Sequence, residues 1–71
     1  MTIATLNLGH EATITGLTGP EETRLQLQEL GFTPGSIVKF VARSPFRDPV
    51  AFEVKGTTIA LRQEEASCIL I

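Results

Sequence analysis

From Glu11 to Leu17 the polar residues Glu11, Thr13 and Thr15 alternate with Ala12 and Ile14 before Gly16. A period of two marks a strand with one wet and one buried face, and the Thr and Ile content favours it. One strand is predicted there, with Leu6 and Leu8 beginning it or packing beneath it. The rhythm then changes. In TGPEETRLQLQELG, Pro20 suits a first helical turn, Glu21 and Glu22 suit the positive end of a helix dipole, and Thr18 or Gly19 is placed to cap. The apolar positions Leu25, Leu27 and Leu30 form a narrow inward stripe, leaving Arg24, Gln26, Gln28 and Glu29 to solvent.

ELGFTPGSIVKF, Glu29 to Phe40, stops that helix and starts a strand. Gly31 suits the left-handed residue after a helix C-terminus, from which Phe32 folds back toward Leu27. Thr33-Pro34-Gly35-Ser36 places Pro and Gly at the centre of a type II turn. A β-branched and aromatic strand follows, Ile37 to Val41. The stretch Arg43 to Pro49 carries two prolines and reads as a loop. Val50, Phe52 and Val54 then alternate with Ala51, Glu53 and Lys55, Lys55-Gly56 makes a hairpin turn, and Ile59 and Leu61 return with the same period. Gln63 to Ala66 forms one helical turn before a last apolar strand, Cys68 to Ile71.

These elements predict a mainly β protein: a small β-barrel of about five strands with one α-helix inserted after the first strand, the helix covering an open end. At 71 residues the whole chain, 1–71, is a single domain, since so short a chain cannot divide its core.

Charge narrows the function. The net charge is -2, and Arg24, Lys39, Arg43, Arg47, Lys55 and Arg62 are scattered among acids, which disfavours a nucleic-acid partner. There is no Trp or Tyr to line a polyproline-binding groove. The single cysteine, Cys68, cannot form an internal disulfide, and its apolar surroundings predict a core residue. No segment approaches the roughly 20 apolar residues that cross a bilayer, so a cytoplasmic protein without membrane insertion is expected.

No catalytic set emerges. His10 and Cys68 are the sole histidine and thiol and lie in different segments, so the chain reads as a non-enzyme with no required cofactor. His10 and Glu11 are the weak candidates for metal, since Fe(II) accepts imidazole and carboxylate. Glu21-Glu22 and Glu64-Glu65 are better explained as a helix-dipole complement and a solvated turn. Protein contact is the remaining class. Phe46, flanked by Arg43 and Arg47, has the composition of an interface anchor, and whichever of Leu25 and Leu27 the core does not need offers a second one.

LQELGFTPGSIVKF followed by SPFRDPVAFEVKGTTIALRQEEASCILI also resembles the FeoA family, the small cytosolic component of bacterial ferrous iron uptake. The family pattern runs from a helix ending in Leu-Gly and an apolar residue, through Pro-Gly, a Pro-x-Gly-Asp-Pro loop and Leu-Arg, to a polar turn and an apolar end. Leu30-Gly31-Phe32, Pro34-Gly35, Pro45, Asp48-Pro49, Leu61-Arg62 and Glu65-Ala66 stand in those places, and the match runs from Glu11 to Ile71. Arg47 departs from it, occupying the usual Gly position; a positive φ there would strain it. The resemblance implies an SH3-like barrel and an accessory protein acting by contact on FeoB, the membrane GTPase and iron permease. The alternative it raises is an Fe(II)-binding metal-sensing module, related to the SH3-like domain of iron-dependent repressors. Self-association through an edge strand is a further expectation.

Overall fold

A computed structural model describes all residues, 1–71. A 3-10 turn, Ile3–Thr5, precedes strands β1 (Glu11–Thr13) and β2 (Gly16–Leu17). Helix α1 (Glu21–Glu29), strands β3 (Ile37–Arg43), β4 (Val50–Val54) and β5 (Thr57–Leu61), the short helix α2 (Gln63–Ala66) and strand β6 (Ile69–Leu70) follow. Two antiparallel sheets result, one ordered β1-β3-β4-β5 and the other β2-β6.

The predicted first strand is thus two, and the strand count rises to six. The break falls at one peptide. The Ile14 N–H donates to the Ser36 carbonyl beside β3 at 2.9 Å, and the next N–H, of Thr15, donates to the Leu70 carbonyl in β6 at 2.8 Å. Crossing between sheets in this way bends the chain around the core without leaving either backbone group unpaired. The two sheets do not join into one closed ladder, so the barrel is partial. α1 still follows this first strand segment, as predicted.

Twelve apolar side chains make the core: Ile3, Ile14, Leu27, Phe32, Val38, Phe40, Val50, Phe52, Val54, Leu61, Ala66 and Ile69. Phe40 and Phe52 are register partners on β3 and β4, with ring centroids 5.2 Å apart. Ile3 enters because the termini are clasped: Thr2 bridges to Leu70, and Ile71 N–H donates to the Met1 carbonyl at 2.9 Å. Cys68 packs against the core from its margin and is not one of the twelve. It is half-buried, and its thiol donates to the Glu64 carbonyl at 3.5 Å.

The helix stop takes the predicted form. Phe32 N–H donates to the Leu27 carbonyl and Gly31 N–H to that of Gln28, both at 3.1 Å, with Gly31 at φ 108. This is the Schellman pairing, and it seats Phe32 at 0% exposure against the core. Gly35 has φ 90, and Ser36 N–H donates to the Thr33 carbonyl at 3.0 Å, closing the Pro34-Gly35 turn. At the start of α1 the cap is Pro20, not Thr18 or Gly19, and no side chain caps it. Leu25 and Leu30 do not face inward: α1 buries Leu27 alone, leaving Leu25 at 51% and Leu30 at 41% exposure. Lys55 and Gly56 both have positive φ, the signature of a type I′ turn joining β4 and β5.

Candidate functional site: the loop between β3 and β4

Ser44 to Pro49 leave the sheet as a tight projection. Arg47 N–H donates to the Ser44 carbonyl at 3.0 Å, and Ser44 N–H to the Pro49 carbonyl at 3.4 Å, so the two ends of the loop are tied. The Asp48-Pro49 peptide is cis, and Arg47 has φ 67. The positive φ that the family's usual Gly would suit is therefore present here on an arginine, a conformation costing an L-residue about 1–2 kcal/mol.

A long-range anchor holds that geometry. α2 begins after Arg62, which has no side-chain oxygen to cap the helix, so its first amide needs an acceptor from elsewhere. Asp48 supplies one: Gln63 N–H donates to Asp48 Oδ1 at 3.0 Å. Gln63 Nε2 in turn donates to the Arg47 carbonyl at 3.3 Å. Within α2 the Arg62 N–H donates to Glu65 Oε1 at 3.0 Å, the N3 half of a capping box. The loop and α2 thus complete one another. A sequence signal for this existed in the missing Ser, Thr, Asp or Asn at the α2 N-cap, but nothing local named the donor of the missing oxygen.

Phe46 stands at the loop tip with 89% exposure, the highest of the exposed large apolar side chains. Arg47 is exposed beside it, and Arg43, at the end of β3, lays its guanidinium over the Phe40 ring at 5.3 Å. Phe46 and Arg47 therefore share the projection, while Arg43 stays at its base on β3, committed to Phe40 by a cation–π contact. Leu25 is exposed on α1, and no hydrogen bond joins α1 to this loop. Leu27, the other helix candidate, is 1% exposed and unavailable to a partner, because its side chain completes the core beneath Phe32.

His10 and Glu11 sit at the start of β1 with exposed side chains. No group of three or more His, Cys, Asp and Glu side chains gathers to hold a metal ion. A shallow cleft of about 330 Å³ lies between the start of α1 and α2, lined by Pro20, Thr23, Glu64, Glu65 and Cys68. At the neighbouring Gly19 a Cβ would stand 2.8 Å from the Cys68 sulfur. No helix is long and apolar enough to cross a membrane.

The FeoA domain family model matches residues 1–71, the whole chain. The chain belongs to the FeoA family. A curated FeoA relative, the Fe(2+) transport protein A/Fe(2+) transporter FeoB fusion protein of Porphyromonas gingivalis, is 32% identical over 69 residues, covering 97% of this chain. The chain spans 8% of that relative's length. Among solved structures, the zinc-complexed FeoA of Stenotrophomonas maltophilia, a prokaryotic SH3 domain protein, superposes with a TM-score of 0.87 at 31% identity, covering 99% of this chain and 87% of that one. The iron(II) transport protein A of Clostridium thermocellum gives a TM-score of 0.90 at 32% identity, covering 97% of this chain and 43% of that one. The fold is thus the SH3-like one of FeoA proteins, and the link to ferrous iron transport comes with the family.

Proposed function

We propose that this chain is a non-catalytic, cytosolic accessory protein of ferrous iron uptake that binds the cytosolic part of FeoB. One observation carries the reading: in the P. gingivalis relative the FeoA and FeoB portions belong to one polypeptide, which holds them at high effective concentration. For that proximity to become contact, the FeoA domain must offer FeoB a surface. The loop carrying Phe46 supplies an apolar anchor with Arg47 beside it, held in place before binding by Asp48 and Gln63. A pre-ordered loop loses little conformational freedom on docking, so more of its contact energy appears as affinity. Leu25 is the second docking position.

Capture on detergent-solubilised FeoB tests this. Wild type should co-purify, and Phe46→Glu should lower affinity at least about tenfold, as expected for an aromatic anchor worth roughly 1.4 kcal/mol or more. Leu25→Glu should have a smaller effect. Undiminished capture of both folded variants would remove these anchors, and absence of wild-type capture would remove the proposal.

A further inference from the structure

The two edges of the four-stranded sheet are unlike. β1 is three residues long, carries Glu11, and hands its chain on to the second sheet, all of which blunt an edge. β5 is five residues long, reads Thr-Thr-Ile-Ala-Leu, and contains neither charge nor proline. No hydrogen bond from any turn, loop or side chain reaches residues 57–61. Which of its amides are free follows from the register. The two-residue turn makes Val54 and Thr57 a hydrogen-bonded pair, and pairs alternate along an antiparallel ladder. Ile59 and Leu61 therefore bond to β4, while the N–H and C=O groups of Thr58 and Ala60 point outward, unpaired within the fold.

We propose that β5 is a self-association edge, on which a second copy of this chain pairs its own β5 antiparallel about a two-fold axis at Ile59. The occupant is a second copy because the edge is complementary to itself. With the axis at Ile59, Thr58 of one copy lies opposite Ala60 of the other, so each outward donor meets an outward acceptor. Every residue from Thr57 to Leu61 then has a partner, while the cationic Lys55 and Arg62 stay outside the ladder. On the outer face Ala60 lies beside Ala51 and Thr58 beside the exposed Glu53, so the strand's own outward side chains, Thr58 and Ala60, are small. On the inner face half-buried Ile59, register partner of the core residue Phe52, meets its own symmetry mate and extends the apolar row. Non-hydrogen-bonded pairs bring Cα atoms to about 4.5 Å, close enough for those isoleucines to pack.

One strand pair buries less than the roughly 1,200 Å² of a stable interface, so the dimer is weak and dependent on concentration. It leaves the Phe46 loop free and does not rest on the FeoB reading. Sedimentation equilibrium of the full chain should show a monomer–dimer exchange, with amide hydrogen exchange at Thr58 and Ala60 slowing as concentration rises. Ala60→Pro, which removes an edge N–H, and Ala60→Lys, which sets a bulky cation on the sheet face beside the seam, should raise the dimer dissociation constant at least about tenfold, while Phe46→Glu leaves it unchanged. A wild type that stays monomeric up to about 1 mM would overturn the proposal. So would a dimer indifferent to both Ala60 variants, or one that forms while the Thr58 and Ala60 amides exchange as in the monomer.

Discussion

Phe32 and Phe46 sit in two proline-bearing connections of nearly equal length, one entering β3 and the other leaving it, and their fates are opposite: 0% against 89% exposure. In the first connection every special backbone position falls on a glycine, Gly31 and Gly35, and the turn is stitched to the hairpin tip by Lys55 Nζ donating to Thr33 Oγ1 at 3.1 Å. In the second, the left-handed position falls on Arg47, the anchor is an aspartate answering a helix amide, and the aromatic ring touches water. The first connection is built for the fold. The second accepts backbone strain at Arg47 and serves the fold through Asp48, while the apolar surface it exposes at Phe46 is not used by the core.

Thermal and denaturant unfolding can break that contrast. Phe32→Ala should cost about 3–5 kcal/mol, enough to unfold much of a domain this small, while Phe46→Ala should stay within about 0.5 kcal/mol of wild type. Equal costs would put Phe46 in the core and end its candidacy as an anchor. Gly31→Ala should cost about 1–3 kcal/mol, since φ 108 is closed to alanine even though its Cβ would meet Lys55 Cδ at an ordinary 3.6 Å. Asp48→Ala should cost about 1 kcal/mol by leaving the first α2 amide unanswered, with a larger relative loss in FeoB capture as the loop loosens. Arg47→Gly sharpens the comparison most finely. Relief of strain, set against the added freedom of the unfolded chain, should raise stability by about 0.5 kcal/mol, and loss of the cation should lower capture.

The docking candidates were partly legible. Loop composition singled out Arg43, Phe46 and Arg47, because prolines at 45 and 49 exclude a central strand and leave the aromatic between them without a core-facing period. Leu25 and Leu27 were not separable by pattern. Two residues apart on a helix they lie on different faces, and which face meets the sheets depends on how the chain approaches α1, a matter decided by β2 pairing with β6 near the far end of the sequence. Cys68 differs from its expected place for a related reason: it lies in the turn between α2 and β6, its thiol bonded locally to the Glu64 carbonyl, and the distant Gly19 covers its other side.

What the sequence determined alone is everything closed by neighbours within a few residues: the Gly31 stop, the Pro34-Gly35 turn, the Lys55-Gly56 hairpin and the alternation of Val50 to Val54. In each, the φ a residue tolerates and the partner of its amide are set locally, so the residue type suffices to name the conformation. The tertiary structure decided the rest: the split of the first strand between two sheets at Ile14 and Thr15, the burial of Ile3 by the clasped termini, the choice of Leu27 over Leu25, and the meeting of Asp48 with the Gln63 amide. Those depend on bringing together groups far apart in sequence, where the gain from pairing and burial appears only after the whole chain has closed.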